Sequence, residues 1–126
     1  MDEILKRLEL LHPKIIDLKL DRVKRLLRKL GNPEKSIPPV IHVAGTNGKG
    51  STIAMIKSGL QRSGFRTHTY TSPHLVSFNE RIEIGDKRIS EDALKEVLNE
   101  CEKVNNSQPI TFFEITTCAA FLAFSR

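Results

Sequence analysis

The chain has 126 residues, 39% of them hydrophobic and 28% charged, the composition of an ordinary soluble globular sequence sized for one domain or less. No apolar run approaches the ~20 residues of a membrane span, and the start M-D-E-I-L-K-R lacks a signal-peptide layout, so a cytoplasmic chain without membrane association is expected. A net charge of +5 and a pI near 9.4 raise the question of nucleic acid, but no recognised nucleic-acid module accompanies the charge. Cys101 and Cys118 stand apart from any C-x-x-C pair or metal-type spacing and read as free, buried thiols in a reducing compartment.

Apolar positions 4, 5, 8 and 11 predict an amphipathic helix over 2–12, ending before Pro13. Between Lys19 and Lys29 six Lys/Arg accompany one Asp, while Val23, Leu26, Leu27 and Leu30 form one apolar stripe. Residues 21–30 therefore read as a helix with a solvated basic face, stopped by Gly31-Asn32-Pro33. Pro38-Pro39 leads extended backbone into a strand over 40–44. Ile53, Ile56 and Leu60 lie on one face of a helix over 49–63, with Gly64 as its terminator, and Thr67 to Thr71 reads as a second strand parallel to the first. Strand, crossover helix and strand make a right-handed βαβ unit.

Beyond Pro73 the texture changes. Arg81-Ile82-Glu83-Ile84, Gly85-Asp86 and Lys87-Arg88-Ile89 predict a short hairpin. Ser90, followed by Glu91 and Asp92, predicts a capped helix whose stripe is Ala93, Leu94, Val97, Leu98 and Cys101, broken by Asn105-Asn106-Ser107-Gln108-Pro109. The segment 112–124 is apolar nearly all round, as in a helix buried on most sides.

The chemistry concentrates in Val40-Ile41-His42-Val43-Ala44-Gly45-Thr46-Asn47-Gly48-Lys49-Gly50-Ser51-Thr52, where a β-branched run enters a glycine-rich turn and a helix start. Glycines at 45, 48 and 50 let the backbone approach an anion, so that N–H groups and the positive helix end converge on a phosphate. Lys49 supplies a mobile charge for outer phosphates, and the Ser51 and Thr52 hydroxyls can reach phosphate or magnesium. The usual spacing G-x-x-x-x-G-K-[ST] fails at Val43 and at Gly50. A plain turn with a solvated lysine is the competing reading, disfavoured because turn chemistry does not need three glycines around a lysine.

V-A-G-T-N-G-K-G-S-T resembles the variant phosphate loop of the Mur ligase superfamily, and its Lys-Gly-Ser ending resembles the folylpolyglutamate synthase and dihydrofolate synthase branch. Tyr70-Thr71-Ser72-Pro73-His74-Leu75 with Phe78-Asn79-Glu80-Arg81-Ile82 is similar to that family's T-S-P-H-L…E-R-I loop. Leu10-Leu11-His12-Pro13-Lys14-Ile15-Ile16-Asp17-Leu18 with Asp21-Arg22-Val23, and Thr111-Phe112-Phe113-Glu114, are similar to two further motifs in the same order. The resemblance implies an α/β fold, the P-loop-type parallel sheet with flanking helices of the Mur ligase central domain, here incomplete at the carboxyl end. It makes residues 1–126 the amino-terminal part of an ATP-binding ligase domain, lacking the carboxyl-terminal glutamate-binding domain.

The implied activity joins L-glutamate to folate or dihydropteroate using ATP and Mg2+, through an acyl phosphate, in an enzyme that is a monomer when full length and acts on small molecules. Thr46, Asn47, Gly48, Lys49, Gly50 and Ser51 match the family's ATP loop, with Lys49 the catalytic charge, and Ser72 matches a magnesium-holding hydroxyl. Without the family, Ser72 before Pro73 is an ordinary turn residue, although the crevice beyond the carboxyl ends of strands is where open α/β sheets bind ligands. Asp17, Leu18 and Lys19 align with one segment touching the pterin-bearing substrate, departing at Lys19 where glycine is common; Thr111, Phe112, Phe113 and Glu114 align with another. Thr111-x-x-Glu114 before an apolar run is also a capping box, and the two readings are compatible. The basic face of 21–30 would attract polyanions such as ATP or a polyglutamate tail. His74 lies in a loop that shapes the folate site and is not expected to be catalytic, while His12, His42 and His68 read as structural. The alternative is a non-catalytic nucleotide-binding module. As a piece of a ligase, the chain alone is expected to be inactive and marginally stable.

Overall fold

The computed structural model describes residues 1–12 and 19–126, which divide into two compact units, Met1–Ile37 with Ser90–Arg126, and Pro38–Ile89. The first unit is helical. Its helices are α1 (Asp2–Glu9), α2 (Asp21–Lys29), α4 (Glu91–Asn105) and α5 (Phe112–Ser125). Ile4 and Leu8 of α1, Leu26 and Leu27 of α2, and Leu94, Val97, Leu98 and Cys101 of α4 are buried together with Ile115, Cys118, Ala119, Ala120 and Leu122 of α5. Because α1, α2 and α4 all pack on α5, the uniformly apolar segment becomes the centre of the unit.

Local chemistry sets the helix ends. Gly31 at φ +88° and Asn32 at φ 56° carry the left-handed turn that closes α2, and Asn106 at φ 51° does the same for α4. The Ser90 hydroxyl accepts from the Ala93 N–H at 3.2 Å, capping α4 as expected. Cys101 and Cys118 are free and buried, and desolvation raises both thiol pKa values, that of Cys118 to about 12.

The second unit holds α3 (Lys49–Arg62) and a sheet of β1 (His68–Tyr70), β2 (Ile82–Ile84) and β3 (Lys87–Arg88), in the order β1-β2-β3. Both pairings are antiparallel, with His68 opposite Ile84, Tyr70 opposite Ile82, and Glu83 opposite Arg88. The predicted hairpin is present, turning at Gly85, whose φ of +67° needs glycine. Phe78, Ile82 and Ile89 are its buried hydrophobes.

The predicted βαβ unit is not formed among the described residues. Residues 40–44 make no strand, and the neighbour that β1 finds is antiparallel β2. A β-branched run favours a strand only where a second strand offers its N–H and C=O groups. Val40 and Ile41 are instead 69% and 62% exposed. Helix α3 likewise buries none of its residues.

Candidate functional site

The loop that precedes α3 is built by glycine. Gly45 and Gly48 take φ of +146° and +73°, conformations that L side chains rarely adopt. Gly48 is the N-cap of α3, and no side chain caps that end. The first intrahelical bond runs from the Thr52 N–H to the Gly48 carbonyl, 2.9 Å, so the N–H groups of Lys49, Gly50 and Ser51 are the donors the helix itself leaves free. Gly50 has no left-handed φ, and a Cβ placed on it would meet nothing within 4 Å. A glycine in a helix costs about 1 kcal/mol against alanine, and nothing within the described protein requires one at 50.

Thr46, Asn47, Lys49 and Ser51 are all exposed around this end. Backbone N–H groups, one ammonium and short hydroxyls are a donor set that suits a polyphosphate, and serine oxygens suit magnesium, a hard cation. Ser72, also exposed, follows β1 in the same unit, next to the Thr71 N–H that donates to the Arg81 carbonyl at 2.8 Å. Among the described residues no cluster of three His, Cys, Asp or Glu could hold a metal.

The segment after Ser72 is more ordered than its sequence suggests. The Glu80 carboxylate accepts from the N–H groups of Leu75, Val76 and Ser77 at 2.9, 2.8 and 2.7 Å. Arg81 Nε donates to His74 Nδ1 at 2.8 Å, and its guanidinium lies 4.9 Å from the centroid of the buried Phe78 ring. His74 is thereby an acceptor and a loop fastener. Leu75 and Val76 stand out at 93% and 89% exposure on this fixed loop. The spacing Ser77-x-x-Glu80 is a capping-box signal that reading the chain for motifs passed over.

The N–H groups of Ser77, Leu75 and Val76 pull the Glu80 carboxyl down to a pKa of about 2. A depressed pKa stabilises the folded loop above the ordinary carboxylate range and stops doing so as pH falls through the folded value. The amide shifts of Leu75, Val76 and Ser77 should therefore hold steady through pH 4 and move near pH 2 in an NMR titration. A midpoint in the ordinary range of about 4 would contradict the loop as described.

In the helical unit, Thr111 and Glu114 form the predicted capping box: the Thr111 hydroxyl accepts from the Glu114 N–H at 3.3 Å, and Glu114 Oε1 accepts from the Thr111 N–H at 2.9 Å. Both residues are buried, so their polar atoms serve the helix start. Phe112 is half-buried and Phe113 is 50% exposed. Lys19 is exposed; Asp17 and Leu18 lie outside the described residues.

The basic helix differs from its expected solvated face. Lys24, Arg28 and Lys29 are exposed, but Arg22 and Arg25 turn inward. Arg25 Nη2 donates to Asn105 Oδ1 at 2.9 Å and to the Pro109 carbonyl at 3.2 Å. Arg22 grips Glu114 with two bonds, Nε to Oε1 at 2.8 Å and Nη2 to Oε2 at 3.0 Å. Burial opposes ionisation of Glu114, but Arg22 and the Thr111 cap outweigh it and hold the pKa below the usual range. His68 is structural as expected: its Nδ1 accepts from the Gly85 N–H at 2.9 Å, and burial, then Arg66, lowers its pKa.

The solved neighbours of this chain have a Mur ligase fold. E. coli FolC in complex with DHPP and ADP superposes with a TM-score of 0.90 at 38% identity, over 98% of this chain and 30% of that one. The Yersinia pestis bifunctional folylpolyglutamate synthase/dihydrofolate synthase complexed with AMPPNP and Mn ion gives 0.88 at 35% identity, over 98% and 30%. The Bacillus subtilis dihydrofolate synthase/folylpolyglutamate synthase is 44% identical over 114 residues, 85% of this chain and 26% of its own length. No family model matches the chain. The chain is thus similar in sequence and fold to dihydrofolate synthase/folylpolyglutamate synthases, and it spans about a quarter to a third of the length of the relatives it matches. None of its described helices is long and apolar enough to cross a membrane.

Proposed function

We propose that this chain is the ATP-loop portion of a ligase that adds L-glutamate to dihydropteroate, to a reduced folate, or to both. The single observation that carries the proposal is the start of α3: free N–H groups of Lys49, Gly50 and Ser51, an exposed Lys49, and a glycine at 50 that the protein does not need for itself. Relatives complexed with ADP, and with AMPPNP and a manganese ion, support the same reading.

A carboxylate is a poor electrophile, so it must first take a phosphoryl group before an amine can displace phosphate. The protein's task in that half-reaction is positioning and charge neutralisation. In this proposal the backbone N–H groups at 48–51 hold the phosphate chain, Lys49 neutralises the oxygens that gain charge, and Ser51 and Ser72 offer oxygens to the metal. Magnesium, when bound, supplies further neutralisation of the phosphates. Phe113, held outward by the Thr111–Glu114 cap, offers an aromatic face to a flat pterin ring. The parallel sheet expected from residues 40–44 forms, in this proposal, in a longer polypeptide where Val40 and Ile41 gain strand neighbours.

The test is an assay of the complete ligase carrying this chain, with ATP, magnesium, glutamate, and either dihydropteroate or tetrahydrofolate. Mass spectrometry should detect a product heavier by one glutamyl residue with at least one acceptor. Binding of ATP without glutamate addition to either acceptor would overturn the ligase reading and leave a nucleotide-binding module.

A further inference from the structure

The two segments aligned with the pterin-bearing substrate lie 92 or more residues apart in sequence but adjoin the starts of two helices that pack on each other. Lys19 stands two residues before Asp21, the first residue of α2, and Thr111 is the N-cap of α5. The link between those helix starts is Arg22–Glu114. Arg22 lies in the first turn of α2, with 14% of its side chain exposed; Glu114 lies in the first turn of α5, with 9% exposed. Both guanidinium–carboxylate bonds are short, 2.8 and 3.0 Å, and the planar fork fixes orientation as well as distance.

Glu114 does two things with one carboxylate. Oε1 accepts from both Arg22 Nε and the Thr111 N–H, so the ion pair and the helix cap share an atom. Any displacement of Arg22 is therefore transmitted to the cap of α5, and the cap sets where Phe112 and Phe113 leave the chain. Phe113, the next residue to Glu114, is the half-exposed member of that aromatic pair.

We propose that Arg22 is a positioning residue for the acceptor substrate: through Glu114 it holds the start of α5 against the start of α2 and so sets Phe113 at the ring-binding face. Arg22 itself touches no substrate in this scheme. The proposal rests on the acceptor reading given above and adds a residue of the basic helix that turns inward instead of joining its exposed charges. It predicts a division of labour between the two ligands, because the Arg22–Glu114 pair lies in the helical unit and the phosphate loop lies in the other.

The experiment uses the complete ligase with dihydropteroate as the probe and compares Arg22→Lys, Glu114→Gln and Phe113→Ala with the parent. Lysine keeps the charge but loses the fork, and glutamine keeps an acceptor for the Thr111 cap but loses the ion pair. Both variants keep groups able to fold the helix start. In each, the KM for dihydropteroate should rise about tenfold, the KM for ATP should stay within about twofold, and kcat should change little, the split expected when ground-state positioning is lost. A change of less than about twofold in the dihydropteroate KM, or an equal rise in both KM values, would overturn the role of Arg22. Phe113→Ala separates the two levels of inference. If it leaves dihydropteroate affinity unchanged, the acceptor reading fails and the role of Arg22 with it. If it weakens affinity while Arg22→Lys and Glu114→Gln do not, the role of Arg22 alone fails.

Discussion

Lys49→Ala in the complete ligase should lower ATP-dependent glutamate addition by about a thousandfold while leaving the melting temperature where it was. The first half follows from what the residue is for in the proposed reaction. A pre-placed donor aimed at charge that grows during the reaction is worth about 10²–10³ in rate when removed, and Lys49 adds a full charge to the partial charges of the loop N–H groups. The second half follows from its surroundings. Lys49 is exposed at the first position of α3, a helix that buries none of its residues, so truncating it removes no packing. Surface changes of this kind stay within about 0.5 kcal/mol. Gly50→Ala in the same assay isolates the loop from the lysine. Alanine should stabilise α3 by up to about 1 kcal/mol, yet the added methyl would stand where the phosphate chain is proposed to lie, and the KM for ATP should rise. An alanine at 50 that stabilises without raising that KM would remove the observation on which the site rests, and activity retained by Lys49→Ala would remove the role of the lysine.

The helical unit was legible in the sequence because its information is local. The stripe Ala93, Leu94, Val97, Leu98 and Cys101, the Ser90 cap and the apolar run at 112–124 each follow from a 3.6-residue period or one side-chain bond, and all three stand in the structure except that Ala93, at the edge of its stripe, is exposed. The segment 40–44 shows the converse. Its β-branched residues declare a preference, but a ladder is a bond between segments, and composition does not contain the partner. Arg22 is the more instructive miss. A run of six basic residues around one acidic residue reads as a wet face, yet Arg22 precedes Leu26 by four positions and so lies on the turn that faces the core. Its partner Glu114 is 92 residues away, beyond the reach of any spacing rule. For the loop glycines the sequence supplied residue type, and the backbone supplied the reason: Gly45 and Gly48 need their φ values, and Gly50 does not.

Ile115→Ala should cost the 126-residue chain about 2–5 kcal/mol of stability, the range for emptying a buried aliphatic site. Ile115 is fully buried on α5, the helix on which α1, α2 and α4 pack, so little around it can collapse into the space without disturbing a second helix. Small domains hold only about 5–15 kcal/mol in total, and this chain draws most of its buried hydrophobic side chains from one unit, with Phe78, Ile82 and Ile89 the larger apolar contributors of the other. One methylene-rich side chain is thus a large share of the whole. Met55→Ala on α3 is the matched comparison. Met55 is 75% exposed, and its removal should change stability by less than about 0.5 kcal/mol in the isolated chain. Urea titrations followed by far-ultraviolet circular dichroism give both values. Equal destabilisation by the two variants would mean that α3 is covered in solution by something it does not touch in this structure. A large effect at Ile115 with none at Met55 would locate the stability of the chain in its helical unit and leave α3 contributing little to it.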